Sequence, residues 1–165
     1  NSDLANNCGN LCQRVTAFAF NNCEGKIPNE IKFESSDLKV LDNFKSNLDL
    51  IRKKIDKQDV NFYIDFIVNS LFETNKYFND QEPWKKKDNL IRLNTIVYTS
   101  LEIIRKISYM LYPIIPQSAL NALKIFEIGE IDINFSTLDN HNYLKGNNKI
   151  NKIDILFKKI DKKDD

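Results

Sequence analysis

Apolar residues recur at alternating spacings of three and four through most of the first 126 positions, a period that marks amphipathic helices. Leu4, Cys8, Leu11, Val15 and Phe18 form one stripe and predict a first helix over about Ser2 to Cys23. Leu38, Leu41, Phe44, Leu48, Ile51 and Ile55 form a second, with Ser36 or Asp37 as the expected cap. A third helix runs from a cap at Asp59 through Tyr63, Phe66, Ile67, Leu71 and Phe78 until Pro83 ends it. The longest covers about Asp88 to Tyr112, with Leu90, Leu93, Val97, Leu101, Ile104, Ile107 and Leu111 on its apolar side, and Pro113 and Pro116 close it. A shorter fifth, Gln117 to Phe126, has Ala119, Leu120, Leu123 and Phe126 as its apolar set.

After Gly129 the period fails, and residues 130 to 165 read as a mostly irregular arm ending in the charged run KKIDKKDD. Four to five amphipathic helices with short connections predict an all-α, antiparallel helix bundle over residues 1 to 129, with the arm packing on it or trailing from it. Gly9 stands inside the first helix, where it costs about 1 kcal/mol relative to alanine. A close helix contact or a close ligand approach accounts for it.

A chain of 165 residues is long enough to fold around its own core. No apolar run reaches the roughly 18 to 20 residues of a membrane span, and the N-terminus lacks a basic-then-apolar export signal. A cytoplasmic protein, without membrane contact and monomeric, is expected. Cys8, Cys12 and Cys23, an odd number without an export signal, read as reduced thiols, the first two as small buried hydrophobes and not as metal ligands. The net charge of +1 gives no general attraction to nucleic acid, so any such binding has to be local. Lysine and asparagine abound in a way that fits an A/T-rich genome, which makes the four arginines, Arg14, Arg52, Arg92 and Arg105, the more informative cations.

Catalytic chemistry is not evident. There is no Gly-rich phosphate loop, nucleophile elbow or paired metal-ligand motif, and the carboxylates are scattered among lysines as on solvated helix faces. The lone histidine, His141, lies in the polar segment DNHNY and is expected to be solvated. The chain alone is read as catalytically inactive, with no cofactor or metal of its own.

Two features point to binding. The stretch NDQEPWKKKDN holds the only tryptophan, Trp84, between Pro83 and the lysines Lys85, Lys86 and Lys87, at the junction of the third and fourth helices. The ring either folds inward at a turn or stays available to a partner. On the first helix, Asn10 and Arg14 are one turn apart and flank the core direction by about 120° and 80°. An amide beside a guanidinium on such a shoulder can bond base edges, and the same pair also fits an ordinary surface contact.

The run SDLANNCGNLCQRVTAFAFNNCEGKIP resembles the opening helix of the anticodon-binding domain of methionyl-tRNA synthetases, with its D-L-A-N-x-x-G-N-L-x-x-R pattern and G-x-x-P turn. YFNDQEPWKKK resembles that domain's Y-x-x-x-x-x-P-W element, LYPIIPQSALNAL its L-x-P-x-x-P helix turn, and KINKIDILFKKID its closing segment, although prolines often stand in the family where this chain has Ile155 to Lys158. The matches keep the family's order and span nearly the whole chain.

The resemblance implies a class I synthetase anticodon-binding bundle that recognises the CAU anticodon of methionine-accepting tRNA, initiator and elongator. Asn10 and Arg14 would contact anticodon bases, Pro83 would shape the turn, and Trp84 would stack on the first base. Lys85, Lys86 and Lys87 would add phosphate attraction. The ATP motifs and zinc-bearing insertion of the family's catalytic part do not occur in this chain, so methionine activation with ATP would belong to a larger enzyme of which this is the C-terminal piece. The competing expectations are a related domain of another class I synthetase, and a helical protein-interaction module with Trp84 as its hot spot.

Overall fold

The structure, a computed structural model, describes residues 2–153. Five α-helices carry the fold: α1 (Ser2–Asn22), α2 (Ser35–Asp56), α3 (Val60–Gln81), α4 (Leu90–Leu111) and α5 (Pro116–Leu123). Short 3-10 turns follow at Pro83–Lys85, Lys124–Phe126, Glu130–Asp132 and Phe135–Asp139. Among the described residues there is no β-sheet, only an isolated antiparallel bridge between Lys26 and Lys149.

The helices start where their capping chemistry allows. Asp59 accepts from the Phe62 N–H at 3.1 Å and opens α3, as expected, and Asn89 does the same for Arg92 at 3.2 Å on α4, one residue after the predicted start. The start of α2 differs from expectation. Its cap is Glu34, and Asp37 turns inward, accepts the Glu34 N–H at 2.8 Å and is wholly buried. An aspartate at the third helical position can bond back to the cap residue's amide, which moves the boundary forward.

Helix α4 is the central element. It packs against α1, α2, α3 and α5, and every residue from Leu93 to Leu111 is buried except the half-buried Asn94. Helix α1 lies against one side of the α3–α4 pair and α2 against the other. The connection between α1 and α2 therefore has to cross the bundle, and it does so over the start of α4. There the Lys32 N–H bonds Thr95 Oγ1 at 2.9 Å, and Phe33 packs on Tyr98 with centroids 6.1 Å apart. Cys8 and Cys12 are buried free thiols within the core stripe of α1, and the bond with Cys8, followed by burial, holds the Cys12 thiol well above its ordinary pKa. Gly9 is buried beside them.

Most residues of the stripes predicted from periodicity are buried, Phe18, Phe66, Leu120 and Phe126 are half-buried, and exposure is confined to helix ends. Leu38, Ile55 and Leu90 are exposed, because the first and last turns of α2 and α4 reach past the neighbours that would cover them.

Beyond Gly129 the chain lacks long helices but lies on the bundle, with Leu138, Leu144 and Ile150 buried. Polar side chains of α4 hold it there. Arg105 donates to Thr137 Oγ1 at 3.1 Å and to the carbonyls of Thr137 and Asn140 at 3.2 and 3.0 Å, and it pairs with Glu102 at 2.9 Å. Glu102 in turn accepts the Leu144 N–H at 2.6 Å. Lys106 donates to the carbonyls of Leu138 and Asn140.

These contacts correct two expectations. Glu102 and Asp37 are not on solvated faces, because each is wholly buried against a guanidinium. His141 is not solvated either: its Nδ1 lies 3.0 Å from Lys106 Nζ and its Nε2 2.9 Å from Asp42 on α2. Most of the predicted closing segment, from residue 154 on, lies outside the described residues.

Candidate nucleic-acid interface

The turn between α3 and α4 is built to hold one ring at the surface. Glu82 takes a left-handed conformation, φ 47°, which reverses the chain at the end of α3. Pro83, buried and with its φ restricted by the ring, then opens the 3-10 turn. The Lys85 N–H bonds the Glu82 carbonyl at 2.9 Å, the Lys86 N–H bonds Pro83 at 3.0 Å and the Asn89 N–H bonds Lys86 at 2.9 Å, so the turn satisfies its own backbone. Trp84 sits at its apex. Its ring leans on Phe78, with centroids 6.1 Å apart and planes at 59°, and the residue remains 40% exposed. The alternatives of packing and display are both realised, with Phe78 as support and solvent on the remaining surface.

Helix α1 brings Arg14 to this place. Its guanidinium carbon lies 4.9 Å from the Phe78 ring centre and 5.9 Å from that of Trp84, and Nη2 donates to the Asn79 side-chain carbonyl. Phe18, one turn on, meets the same Phe78 edge-to-face at 5.8 Å. The meeting works because α3 ends two residues after Asn79, whereas α1 runs on for eight residues past Arg14, or about 12 Å, to the start of α4. There Cys23 Sγ reaches Asn94 Oδ1 at 3.9 Å. Asn10 is exposed one helical turn before Arg14 on the same shoulder.

The lysines differ among themselves. Lys85 is exposed and pairs with Glu82 at 3.0 Å, Lys86 is half-buried, and Lys87 is exposed. The turn thus carries less free positive charge than the run of three lysines implies.

Beneath the turn lies a buried polar knot. Arg92, in the first turn of α4, donates to the two carboxylate oxygens of Asp37 at 2.7 and 2.9 Å, to the Gln81 side-chain carbonyl at 2.7 Å and to Ser36 Oγ at 3.3 Å. Tyr77 donates its hydroxyl to the same carboxylate, and the exposed Glu34 lies 3.6 Å from the guanidinium. Burial opposes ionisation of Asp37, but the bonds from Arg92 and Tyr77 outweigh it and hold its pKa below the ordinary value. Burial and the Asp37 charge push the Tyr77 hydroxyl far up, so it serves as a donor throughout the physiological range.

Asn79, Gln81, Asp37 and Arg92 were not singled out as site residues in the sequence, and Phe78 was read as core alone. Arg92 offered the one usable signal, an arginine where lysine is the default cation. The chemistry available at the turn is recognition. A partly open indole, a guanidinium and amides can stack on a base and bond its edge, and no nucleophile or base is poised beside them. Among the described residues no cluster of three or more metal-ligating side chains occurs, and no helix is long and apolar enough to cross a membrane.

Comparison with known proteins gives this arrangement its context. The fold matches the apo form of Mycobacterium tuberculosis methionyl-tRNA synthetase with a TM-score of 0.85 and 26% identity, over 96% of this chain and 32% of that one. The same likeness holds for that protein in complex with methionyl-adenylate. The chain is 38% identical over 129 residues to the methionine–tRNA ligase of Brucella suis, covering 78% of this chain and 25% of that protein. It is 33% identical over 166 residues to that of Thermotoga maritima, covering 99% of this chain and 26% of that one. The fold and the family match therefore define a helical anticodon-binding domain of the aminoacyl-tRNA synthetase kind. Residues 27–165 match the family model of the anticodon binding domain of methionyl tRNA ligase, and the chain belongs to that family. It spans about a quarter of the length of the curated relatives it matches.

Proposed function

We propose that this chain recognises the CAU anticodon of methionine-accepting tRNA, initiator and elongator alike, as the C-terminal part of a cytoplasmic methionine–tRNA ligase. The remainder of that enzyme, including any zinc-bearing insertion, joins methionine to the tRNA at the expense of ATP. Trp84 is the platform for the first anticodon base, Pro83 sets the turn that presents it, and Asn10 and Arg14 bond base edges. Lys87 and, more weakly, the paired Lys85 and half-buried Lys86 attract the phosphates. Residues 1–129 form the reading bundle, and the arm from residue 130 braces it as far as residue 153.

The observation that carries the reading is the juxtaposition of Arg14 with the partly exposed ring of Trp84, two residues from distant segments that share no core role. Stacking on an aromatic is worth roughly 1 to 3 kcal/mol per base and is tolerant of base identity, so discrimination falls to the bonding groups on α1. Because Trp84 is the only tryptophan, its fluorescence reports binding directly. Titration with RNA stem-loops should give stronger quenching for a CAU loop than for one with a changed first base. No response to either RNA would refute the proposal in favour of a protein-interaction module, and a preference for another anticodon would assign the domain to a different synthetase.

A further inference from the structure

Arg92 bonds both ends of the joint that carries Trp84. Its backbone belongs to the first turn of α4, where its N–H is capped by Asn89, and its side chain reaches across to Gln81, the last residue of α3, at 2.7 Å. Between those two points lies only the loop from Glu82 to Asn89, with Trp84 at its apex. The guanidinium itself cannot drift, because Asp37 takes it in a two-pronged grip at 2.7 and 2.9 Å and the residue is 7% exposed.

We infer that Arg92, acting through Gln81, is a positioning residue for RNA recognition. It sets the span of the α3–α4 loop and thereby the height and tilt of the Trp84 platform beside Arg14. The inference rests on the anticodon-reading proposal and adds a residue that touches no RNA. A planar fork suits the task, since one face of the guanidinium edge meets the carboxylate while the second nitrogen also reaches the amide. A lysine would present a single ammonium with no fixed direction.

The network contains its own control. Tyr77 bonds the same Asp37 from within α3 but has no bond to the loop. Removing its hydroxyl weakens the buried knot without releasing Gln81.

The test measures three variants of the full chain, Gln81→Met, Arg92→Lys and Tyr77→Phe, by urea unfolding and by titration with a CAU stem-loop, following Trp84 emission and its quenching at saturation. Gln81→Met and Arg92→Lys should each weaken binding by about fivefold to tenfold, the scale of one ordinary hydrogen bond transmitted through the loop. Both should also reduce the quenching that remains at saturating RNA. Tyr77→Phe should lower the urea midpoint and keep parental affinity and quenching. Parental binding by Gln81→Met and Arg92→Lys would overturn the positioning role and leave anticodon reading intact. Equal losses in all three variants would also overturn it, since binding would then follow stability alone. Failure of the parent protein to bind the stem-loop would remove both proposals together.

Discussion

Arg14 and Trp84, seventy residues apart in the chain, face one another with 5.9 Å between the guanidinium carbon and the ring centre, and Phe78 lies within 6.1 Å of both. The guanidinium is thereby held near the platform, with Nη2 committed to Asn79. Arg14→Ala should weaken binding of a CAU stem-loop by about tenfold or more and narrow the difference between CAU and a changed first base, because the bonding group is lost and the stacking ring remains. Circular dichroism should show the parental helix content. An unchanged base preference would remove Arg14 from discrimination.

Asn79 accepts from Arg14, so its effect on the proposed RNA contact should pass through that arginine. Asn79→Ala should cost about threefold to fivefold in affinity, from the loss of one oriented side-chain bond. The double variant Arg14→Ala/Asn79→Ala should bind no worse than Arg14→Ala. Additive losses in this double-mutant cycle would show instead that Asn79 meets the RNA independently.

Glu102 and Arg105 are both wholly buried and joined at 2.9 Å. Glu102→Ala leaves the guanidinium without its carboxylate and the Leu144 N–H without its acceptor, which should destabilise the protein by about 3 to 5 kcal/mol in urea unfolding. A loss under about 1 kcal/mol would mean that the arm's carbonyls satisfy Arg105 without help.

Stability should rise with pH across two windows, because the folded chain binds fewer protons than the unfolded one in each. Burial, opposed in part by Asp42, lowers the pKa of His141 below 6.5, so stability should decline as acid takes the solution below that value and the unfolded histidine charges first. Burial and the neighbouring Arg105 lower Lys106 from 10.5 to about 8, so its contribution becomes more favourable as pH rises from about 8 toward 10.5. Urea midpoints measured against pH should show the acid slope in the parent and a shallower one in His141→Gln. Equal slopes would place the acid sensitivity elsewhere.

How much of this was legible in the sequence depends on the range of each interaction. The Asp59 cap, and stripes such as Leu93 to Leu111, are decided by residues within one or two turns, so the local pattern recovers them. Arg92, Glu102 and Arg105 look like solvated helix charges by spacing, because their partners stand on other elements: Asp37 lies 55 positions from Arg92 and Leu144 lies 42 from Glu102. His141 was misread for the same reason, its neighbours being Asp42 and Lys106. The proposed interface was partly visible, through Trp84 in a polar stretch and the shoulder formed by Asn10 and Arg14. Asn79 and Gln81 gave no local signal, since an amide at the end of a polar helix ordinarily needs no partner.

The way the segment from Thr137 to Ile150 closes over α4 also bears on how the polypeptide matures during synthesis. The ribosome releases α1 to α5 well before the carbonyls of Thr137, Leu138 and Asn140 that Arg105 and Lys106 require. Until then Arg105 has only Glu102 of its own helix as partner, and Lys106 lacks the carbonyls of Leu138 and Asn140. A nascent chain halted near residue 130 would therefore be a natural client for chaperones or proteases, and completion of the bundle would be a late event that checks the integrity of the chain before any RNA is bound.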